Sequence, residues 1–372
     1  LVAMADAFQD RLDNCYKEIT GDDFENLKSK IDVPADRRFV GFDAYLKAIP
    51  LADVVILTTP PGFRPLHFEA AVNAGKHIFM EKPVATDPAG VQRVLAAAEK
   101  AKAKKLNVVV GLQRHYQTSY RELMKRLQDG MVGDVVSASA WWNNDGVWVN
   151  PRKAGQTEME YQMRNWYYFN WLCGDHINEQ HIHNLDVINW FKEGYPVKAQ
   201  GFGGRQVRNS KEHGEIFDHH FVEYHYADGS ILNSQCRHIP GTMSKVDELL
   251  VGTKGKIHCG QAKIVDHGGK VLFQFAKKGE PDPYQNEHDE LFAAIAKGEY
   301  KYADAENGAK STMTSIMGRM ATYSGQMIEW DKAINSGIDI HPKVYDFNAA
   351  PPVLPNADGF YPIAVPGVTK YF

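Results

Sequence analysis

The first hundred-odd residues alternate short apolar, β-branched runs with longer stretches of helical periodicity. Leu1 to Ala5, Val54 to Thr58, His77 to Met80 and Asn107 to Gly111 read as strands, and helices are expected from about Ala7, over Leu66 to Ala74 and over Pro88 to Lys104. Gly75 closes the second of these helices, while Asp87-Pro88 supplies the N-cap and first-turn proline of the third. Strand and helix in alternation predict a parallel sheet covered by helices, a doubly wound α/β domain over residues 1–115. After Gln113 the pattern changes. An amphipathic helix, Ser119 to Asp129, leads into a strand at Val135 to Trp142. Two hairpins follow, His220 to Tyr226 with Ser230 to Cys236, and Lys263 to Asp266 with Val271 to Phe275. They predict a second α/β domain over residues 116–335, built on a large, mainly antiparallel open sheet. Helical stretches at Asn286 to Ala296 and Ala303 to Gly325 and a Pro-rich tail over 336–372 complete the chain.

Composition narrows the class. The 372 residues suit two domains at roughly 150 residues each, and 44% hydrophobic content is enough for a core in both. Lys and Arg number 42 against 46 Asp and Glu, a net charge of −4 with no block of five like charges, which argues against a nucleic-acid partner. No apolar run reaches the roughly 18 residues of a membrane span. The four cysteines show no CxxC pair and no disulfide or zinc spacing, and read as buried thiols in a reducing compartment. The chain opens Leu-Val-Ala-Met-Ala-Asp, with neither an initiator Met nor a signal-like segment, so upstream residues are expected. A cytoplasmic location is the default, and a periplasmic one stays open.

Candidate chemistry sits at the ends of the predicted strands. Asp6 ends the first; in a dinucleotide fold such a carboxylate accepts from the adenosine ribose hydroxyls, and otherwise it caps the following helix. No G-x-G-x-x-G accompanies it, because the strand and glycine turn that carry this motif would precede Leu1. Thr58-Thr59-Pro60-Pro61 follows the next strand, with two prolines that hold the loop flat against a ligand at the carboxyl edge of the sheet. Gly75-Lys-His-Ile-Phe-Met-Glu81-Lys82-Pro83 then ends a strand in a charged pair. An ammonium held there beside a second charge and partly desolvated can act as acid or base, whereas on an open surface it would be a simple ion pair.

The second centre is Gly174-Asp-His-Ile-Asn-Glu-Gln-His-Ile-His-Asn-Leu-Asp186. At 100° per residue His176, Glu179, His183 and Asp186 share one helical face and His181 points nearly opposite. A carboxylate four residues before an imidazole can orient it for proton transfer, which makes His183 the candidate and Glu179 its partner. The same face permits metal binding by His176, Glu179 and His183, with Asp218-His219-His220 the one further contributor in sight. Six of seven tryptophans, Trp141, Trp142, Trp148, Trp166, Trp171 and Trp190, bracket this centre. Aromatic faces of this kind stack on sugar rings, and Asn143, Asn144, Asp145 and Arg164 could bind hydroxyls.

The strand followed by Thr58-Thr-Pro-Pro61-x5-His67, then Gly75-Lys-His-Ile-Phe-Met-Glu-Lys-Pro-Val-Ala85, resembles the glucose-fructose oxidoreductase, inositol dehydrogenase and rhizopine-catabolism family (Gfo/Idh/MocA). The likeness extends through Gln113-Arg114, Gly130-x-x-Gly133-Asp134, Val251-Gly-Thr-Lys-Gly255 and Arg319-x-Ala321-x-x-Ser324-Gly325, over roughly residues 1–335. It implies an N-terminal Rossmann domain, here lacking its first strand and glycine loop, that holds NAD, with NADP disfavoured by Asp6. Asp6, Thr59, Pro60, Pro61, His67, Glu81, Lys82 and Gln113 are then the cofactor residues. Lys82, His183, Asp186, Arg164 and Trp166 are the substrate residues. The family's dehydrogenases show Asp-x-x-x-His-x-x-Asp where this chain has Glu179, His183 and Asp186, so the first carboxylate is one methylene longer. The implied activity is hydride transfer from a CH–OH group of a sugar, sugar derivative or cyclitol, with Lys82 and His183 as the proton-transfer pair, in a homodimer or homotetramer without a metal. Relatives that hold NAD tightly for transient oxidation make a glycoside lyase or hydrolase the alternative, and a metal-dependent enzyme comes after it.

Overall fold

Each short apolar run of the N-terminal region forms a parallel strand in the computed structural model, which describes residues 1–371. β1 (Met4–Asp6) leads through α1 (Gln9–Ile19) to β2 (Arg38–Val40), its parallel partner, and α2 (Ala44–Ala48) follows. β3 (Val54–Leu57), β4 (His77–Met80) and β5 (Val108–Val110) form a second parallel set, joined by α3 (Arg64–Asn73) and α4 (Pro88–Ala103). Ile78, Phe79 and Met80 and the three valines of β5 are buried on both faces, as strands between helix layers must be. The five parallel strands lie in two sheets rather than one, because β1 and β3 do not pair with each other. Gly75 takes φ +72° after α3, and the Asp87 carboxylate accepts the Gly90 amide at 2.7 Å to cap α4, as the sequence predicts.

α5 (Thr118–Gln128) leads to β6 (Val135–Asn144), then to α6 (Glu158–Arg164), α7 (Asn170–Cys173), α8 (His176–Glu179) and α9 (Ile182–Lys192). Seven strands follow: β7 (Lys198–Gly204), β8 (His219–His225), β9 (Ile231–His238), β10 (Lys245–Gly252), β11 (Gly255–His258), β12 (Lys263–Asp266) and β13 (Val271–Gln274). The chain then forms α10 (Pro283–Ala296), α11 (Ala305–Ser324), β14 (Ile328–Glu329) and α12 (Trp330–Ile334). The nine-stranded sheet runs β13-β12-β11-β10-β6-β9-β8-β7-β14, and only the β6–β9 pair is parallel. The expected hairpins are β8–β9 and β12–β13. β7 was not predicted, because its glycines mimic a loop. A Cβ on Gly201 would stand 2.3 Å from the Phe221 carbonyl, so the strand needs that glycine to lie against β8.

α11 joins the two halves. A Cβ on Gly308 would meet Val110 of β5 at 3.0 Å, and one on Gly318 would meet the Tyr224 hydroxyl of β8 at 2.0 Å, so one helix sits close on both sheets. A single apolar core therefore runs from Phe68, Ile78 and Val94 through Met313, Ile316 and Met320 to Leu232 and Leu250. Over residues 336–371 the tail has no helix or strand. It straps both halves: Ile340 N–H donates to Asp87, Gln162 donates to the Val353 carbonyl, and Gly367 N–H donates to the Ser324 carbonyl. Among the described residues no helix is long and apolar enough to cross a membrane.

Candidate active site

β4 ends at Met80 and delivers Glu81 and Lys82 to the carboxyl edge of its sheet, where Lys82 precedes Pro83 through a cis peptide bond. The Lys82 ammonium reaches across to the second domain. It donates to the Glu179 carbonyl at 2.5 Å and to Glu179 Oε1 at 3.2 Å, both side chains about nine-tenths buried. Burial pushes the Glu179 carboxyl up, against the pull of Lys82, and its Oε2 is covered without a hydrogen-bond partner. His183 lies in the first turn of α9 with its ring stacked on Trp142 of β6, centroids 5.9 Å apart. Burial holds its pKa well below the ordinary value, and the Lys82 and Arg114 charges act the same way, so the imidazole is neutral at pH 7. Its Nδ1 is covered and unpartnered. Lys82 thus meets Glu179, and its charge lies close enough to His183 to depress the basicity of that ring.

The remaining strand-end residues are each tied to partners of their own. Thr59 Oγ1 lies 3.2 Å from His67 Nδ1, and the Arg64 guanidinium donates to the Thr59 carbonyl at 2.6 Å, so the Thr59-Pro60-Pro61 loop is clamped from beneath. Gly62 keeps this loop close to the other domain, where a Cβ would stand 2.2 Å from the Trp171 carbonyl. Burial pushes His67 down to about 3, with Arg64 and Arg93 adding to the shift. Glu81 packs over Gly111, where a Cβ would come within 2.7 Å of its Oε2. Behind it the buried Glu287 carboxyl is pushed up to about 9 by burial and by the Glu81, Asp304 and Asp282 charges, and stays protonated. Gln113 donates to the Tyr284 hydroxyl at 3.0 Å and leaves its buried Oε1 unpartnered. Asp6, at the end of β1, accepts the Phe8 amide at 2.8 Å, and its pKa is raised by burial.

Other predicted residues stand apart. The histidine segment is not one helix: Gly174 and Asp175 both take positive φ, α8 is a single turn, and α9 starts afresh at Ile182. The shared face of His176, Glu179, His183 and Asp186 is therefore broken, and these four side chains go to three places. Asp186 is buried and accepts from His115 at 2.7 Å, Ser311 at 2.8 Å and Asn307 at 3.0 Å, so its lone pairs serve the fold. His176 points into the interior against Asp175, so the expected metal set of His176, Glu179 and His183 does not assemble. Arg164 makes a two-pronged pair with Asp10 at 3.0 Å and a bond to Glu160 at 2.9 Å, while Trp166 packs edge-on against Trp148. Neither is in contact with the Lys82 cluster.

Two arginines escape the sequence reading. Arg64 is 1% exposed and pushed down to about 10 by burial, against the pull of Glu81 and Glu179. Arg114 forms a buried pair with Glu248, which also accepts from Tyr120 at 2.9 Å and Asn184 at 2.6 Å, and so brings a fixed cation near His183. The only sequence signal for either was an arginine beside a motif, in Pro-Gly-Phe-Arg64 and Gln113-Arg114.

Parallel strands whose carboxyl ends converge with a charged cleft against an open mixed sheet define a two-domain protein of the dinucleotide-binding class. Residues 1–110 match the Gfo/Idh/MocA model, described as an oxidoreductase family with an NAD-binding Rossmann fold. It is 32% identical over 168 residues to inositol 2-dehydrogenase of Gluconacetobacter diazotrophicus, covering 45% of this chain and 43% of that one. Identity to the Agrobacterium fabrum inositol 2-dehydrogenase is 28% over 207 residues, 55% of this chain and 53% of that one. The chain thus spans about half the length of these relatives. Among solved structures, aldose-aldose oxidoreductase from Caulobacter crescentus superposes with TM-score 0.67 at 18% identity, covering 88% of this chain and 91% of that one. Scyllo-inositol dehydrogenase from Lactobacillus casei, with bound NAD(H) and scyllo-inositol, gives 0.64 at 18% identity, covering 89% and 91%. At these identities the likeness is one of fold.

Proposed function

We propose that the protein is an NAD-dependent oxidoreductase that acts on a CH–OH group of a sugar, sugar derivative or cyclitol, with Lys82 and His183 as its proton-transfer pair. The observation that supports this reading is the contact of Lys82 with Glu179 across the two domains, with a neutral imidazole, His183, near enough to feel the Lys82 charge. Residues able to hold the dinucleotide support the reading. Asp6, Thr59, Glu81 and Gln113 all stand at carboxyl ends of parallel strands, and Gln113 Oε1 and Glu179 Oε2 are buried acceptors that still lack donors. Asp6 favours NAD, since a 2′-phosphate would meet its charge.

When bound, NAD supplies the hydride acceptor. The chain supplies the rest. Two of the three Lys82 N–H donors are taken by Glu179, which leaves one to hold the substrate hydroxyl oxygen and stabilise charge on it as the C–H bond is broken. His183 Nδ1 is covered, so Nε2 is the atom that takes the hydroxyl proton, and the depressed basicity of the ring keeps it free to do so at neutral pH. Glu179 positions the ammonium, and Trp142 fixes the imidazole plane. The sugar and cyclitol names of the relatives support this substrate class, and a homodimer or homotetramer is the assembly expected. The test is to incubate the protein with NAD and with NADP against inositols, hexoses, uronic acids and 3-keto sugars and to follow reduced nicotinamide. Formation with at least one polyol and a preference for NAD are expected; no formation, with or without retained nucleotide, overturns the reading.

A further inference from the structure

The interior beneath α8 holds a second cluster that the proposed oxidation does not use. Inward positions alternate along β8 and β9, which puts His220 and Cys236 on the helix-facing side of the sheet as direct cross-strand neighbours. His176, the first residue of α8, closes over them. One ligand atom from each of His176, His220 and Cys236 lies within 4.8 Å of the other two, and all three side chains are buried.

The hydrogen bonds set the tautomers. His176 Nδ1 lies 2.7 Å from Asp175 Oδ1 and 3.3 Å from Arg208 Nη1; the nearer, charged acceptor claims the proton, so Nδ1 carries it and Nε2 keeps a lone pair. Thr322 donates its hydroxyl to the carbonyls of Gly318 and Arg319, so its oxygen accepts from His220 Nδ1 at 2.8 Å, and His220 Nε2 likewise keeps a lone pair. Both Nε2 atoms are covered and without a hydrogen-bond partner. His220 Nε2 also faces Asp175 Oδ2 at 3.3 Å, an oxygen that already accepts from the Phe217 amide and the Tyr323 hydroxyl. Two covered imidazole nitrogens and a thiol therefore converge with the thiol proton as the weak donor among them, and the Asp175 carboxylate adds its negative charge beside them, a setting that suits a cation.

We propose that His176, His220 and Cys236 bind a zinc ion. Two imidazoles and a thiolate are donors for a borderline-soft metal, and Nδ1 protons held by Asp175 and Thr322 are the outer-shell bonds that orient metal-ligating histidines. Binding releases the Cys236 thiol proton to solvent. Arg208, which also lies 3.0 Å from His238 Nδ1, is held by the Phe217 carbonyl, and the thiolate offsets half the metal charge. The site is built independently of the Lys82 cluster, but the two share α8: His176 is its first residue and Glu179, the Lys82 partner, its last. The ion therefore acts through Glu179 as a positioning element.

The experiment is metal analysis of the full chain after exhaustive dialysis against a chelator and reloading with zinc or cobalt(II). One zinc per chain is expected, and the cobalt form should show a thiolate-to-metal charge-transfer band that disappears in Cys236→Ser while that variant retains its circular-dichroism spectrum. If Cys236→Ser does not fold, X-ray absorption at the zinc edge of the unsubstituted, reloaded protein gives the same reading, with one sulfur and two imidazoles in the zinc shell. No retained zinc, a cobalt spectrum lacking the thiolate band, or uptake of copper alone overturns the assignment. A proton in place of the metal, seen as a histidinium by NMR in protein that takes up no zinc, overturns it as well. Metal content is read without substrate, so failure here leaves the proposed oxidation untouched, and absence of turnover leaves the metal site untouched.

Discussion

Glu179 and Asp186 lie seven residues apart in one histidine-rich segment, and both are buried beside a basic group, yet they are left in opposite states. Both oxygens of Asp186 are in use, Oδ1 by Asn307 and Ser311 and Oδ2 by His115. Glu179 engages one oxygen with Lys82 and leaves the other bare, in a cleft where a neutral imidazole and a lysine donor also have bonds to spare. A carboxylate with every lone pair satisfied holds a fold together, whereas one with unused capacity beside other unsatisfied groups is available to a ligand.

The sharpest way to break this contrast is to remove the charge that Glu179 holds. Lys82→Met should lower kcat for the polyol substrate about 10⁴-fold with NAD affinity within a few-fold, measured by steady-state kinetics and nucleotide titration. Undiminished kcat would remove Lys82 from the chemistry. His183→Ala follows at about 10³-fold, and its loss should be partly restored by added imidazole, a rescue that a packing role would not show. Glu179→Gln keeps the shape and loses the charge. A fall of about tenfold to a hundredfold in kcat is expected, with the rising limb of the pH–rate profile displaced. Asp186→Asn should do the reverse: turnover of the folded protein within about threefold, but a loss of about 1–3 kcal/mol in urea denaturation, because His115 loses its charged acceptor. If Asp186→Asn cost more activity than Glu179→Gln, the contrast would be inverted.

Stability against pH tests the buried rings as a group. His67 and His181 are each pushed down to about 3 by burial, and His183 is also held well below its ordinary value, so all three are neutral when folded and protonate on unfolding below about pH 6.5. The unfolded chain then binds more protons, and stability falls as the pH drops, by up to about 1.4 kcal/mol per pH unit for each group. His115 and His341, raised by Asp186 and Asp87 against the effect of burial, oppose part of this. Denaturation midpoints should decline from pH 6.5 to pH 4.5, and a flat profile would mean that these rings are not buried as neutral groups.

Much of the site was readable from local chemistry. The strand that ends in Glu81-Lys82 and the turn at Thr59-Pro60-Pro61 stand where periodicity and punctuation put them, because a short apolar run bounded by turn residues or proline admits few alternatives. His183 and Glu179 were found through their spacing, although the continuous helix assumed for it is broken at Asp175 and again before Ile182. The departures from the expected grouping share one cause. Asp186, Arg164 and His176 have the right residue types, but their partners, Ser311, Asp10 and Asp175 among them, are chosen by packing.

What the sequence determined by itself is the succession of elements, the carboxyl-end placement of Asp6, Thr59, Glu81 and Lys82, and the family pattern, since all of these follow from periodicities within a few residues. Only the tertiary structure decided that Lys82 meets Glu179 from ninety-seven residues away, that Arg64 and Arg114 lie buried around them, and that His176 turns inward to His220 and Cys236. These contacts join segments whose separation along the chain carries no periodic signal, and burial, which sets every pKa argued above, is a property of the assembled core.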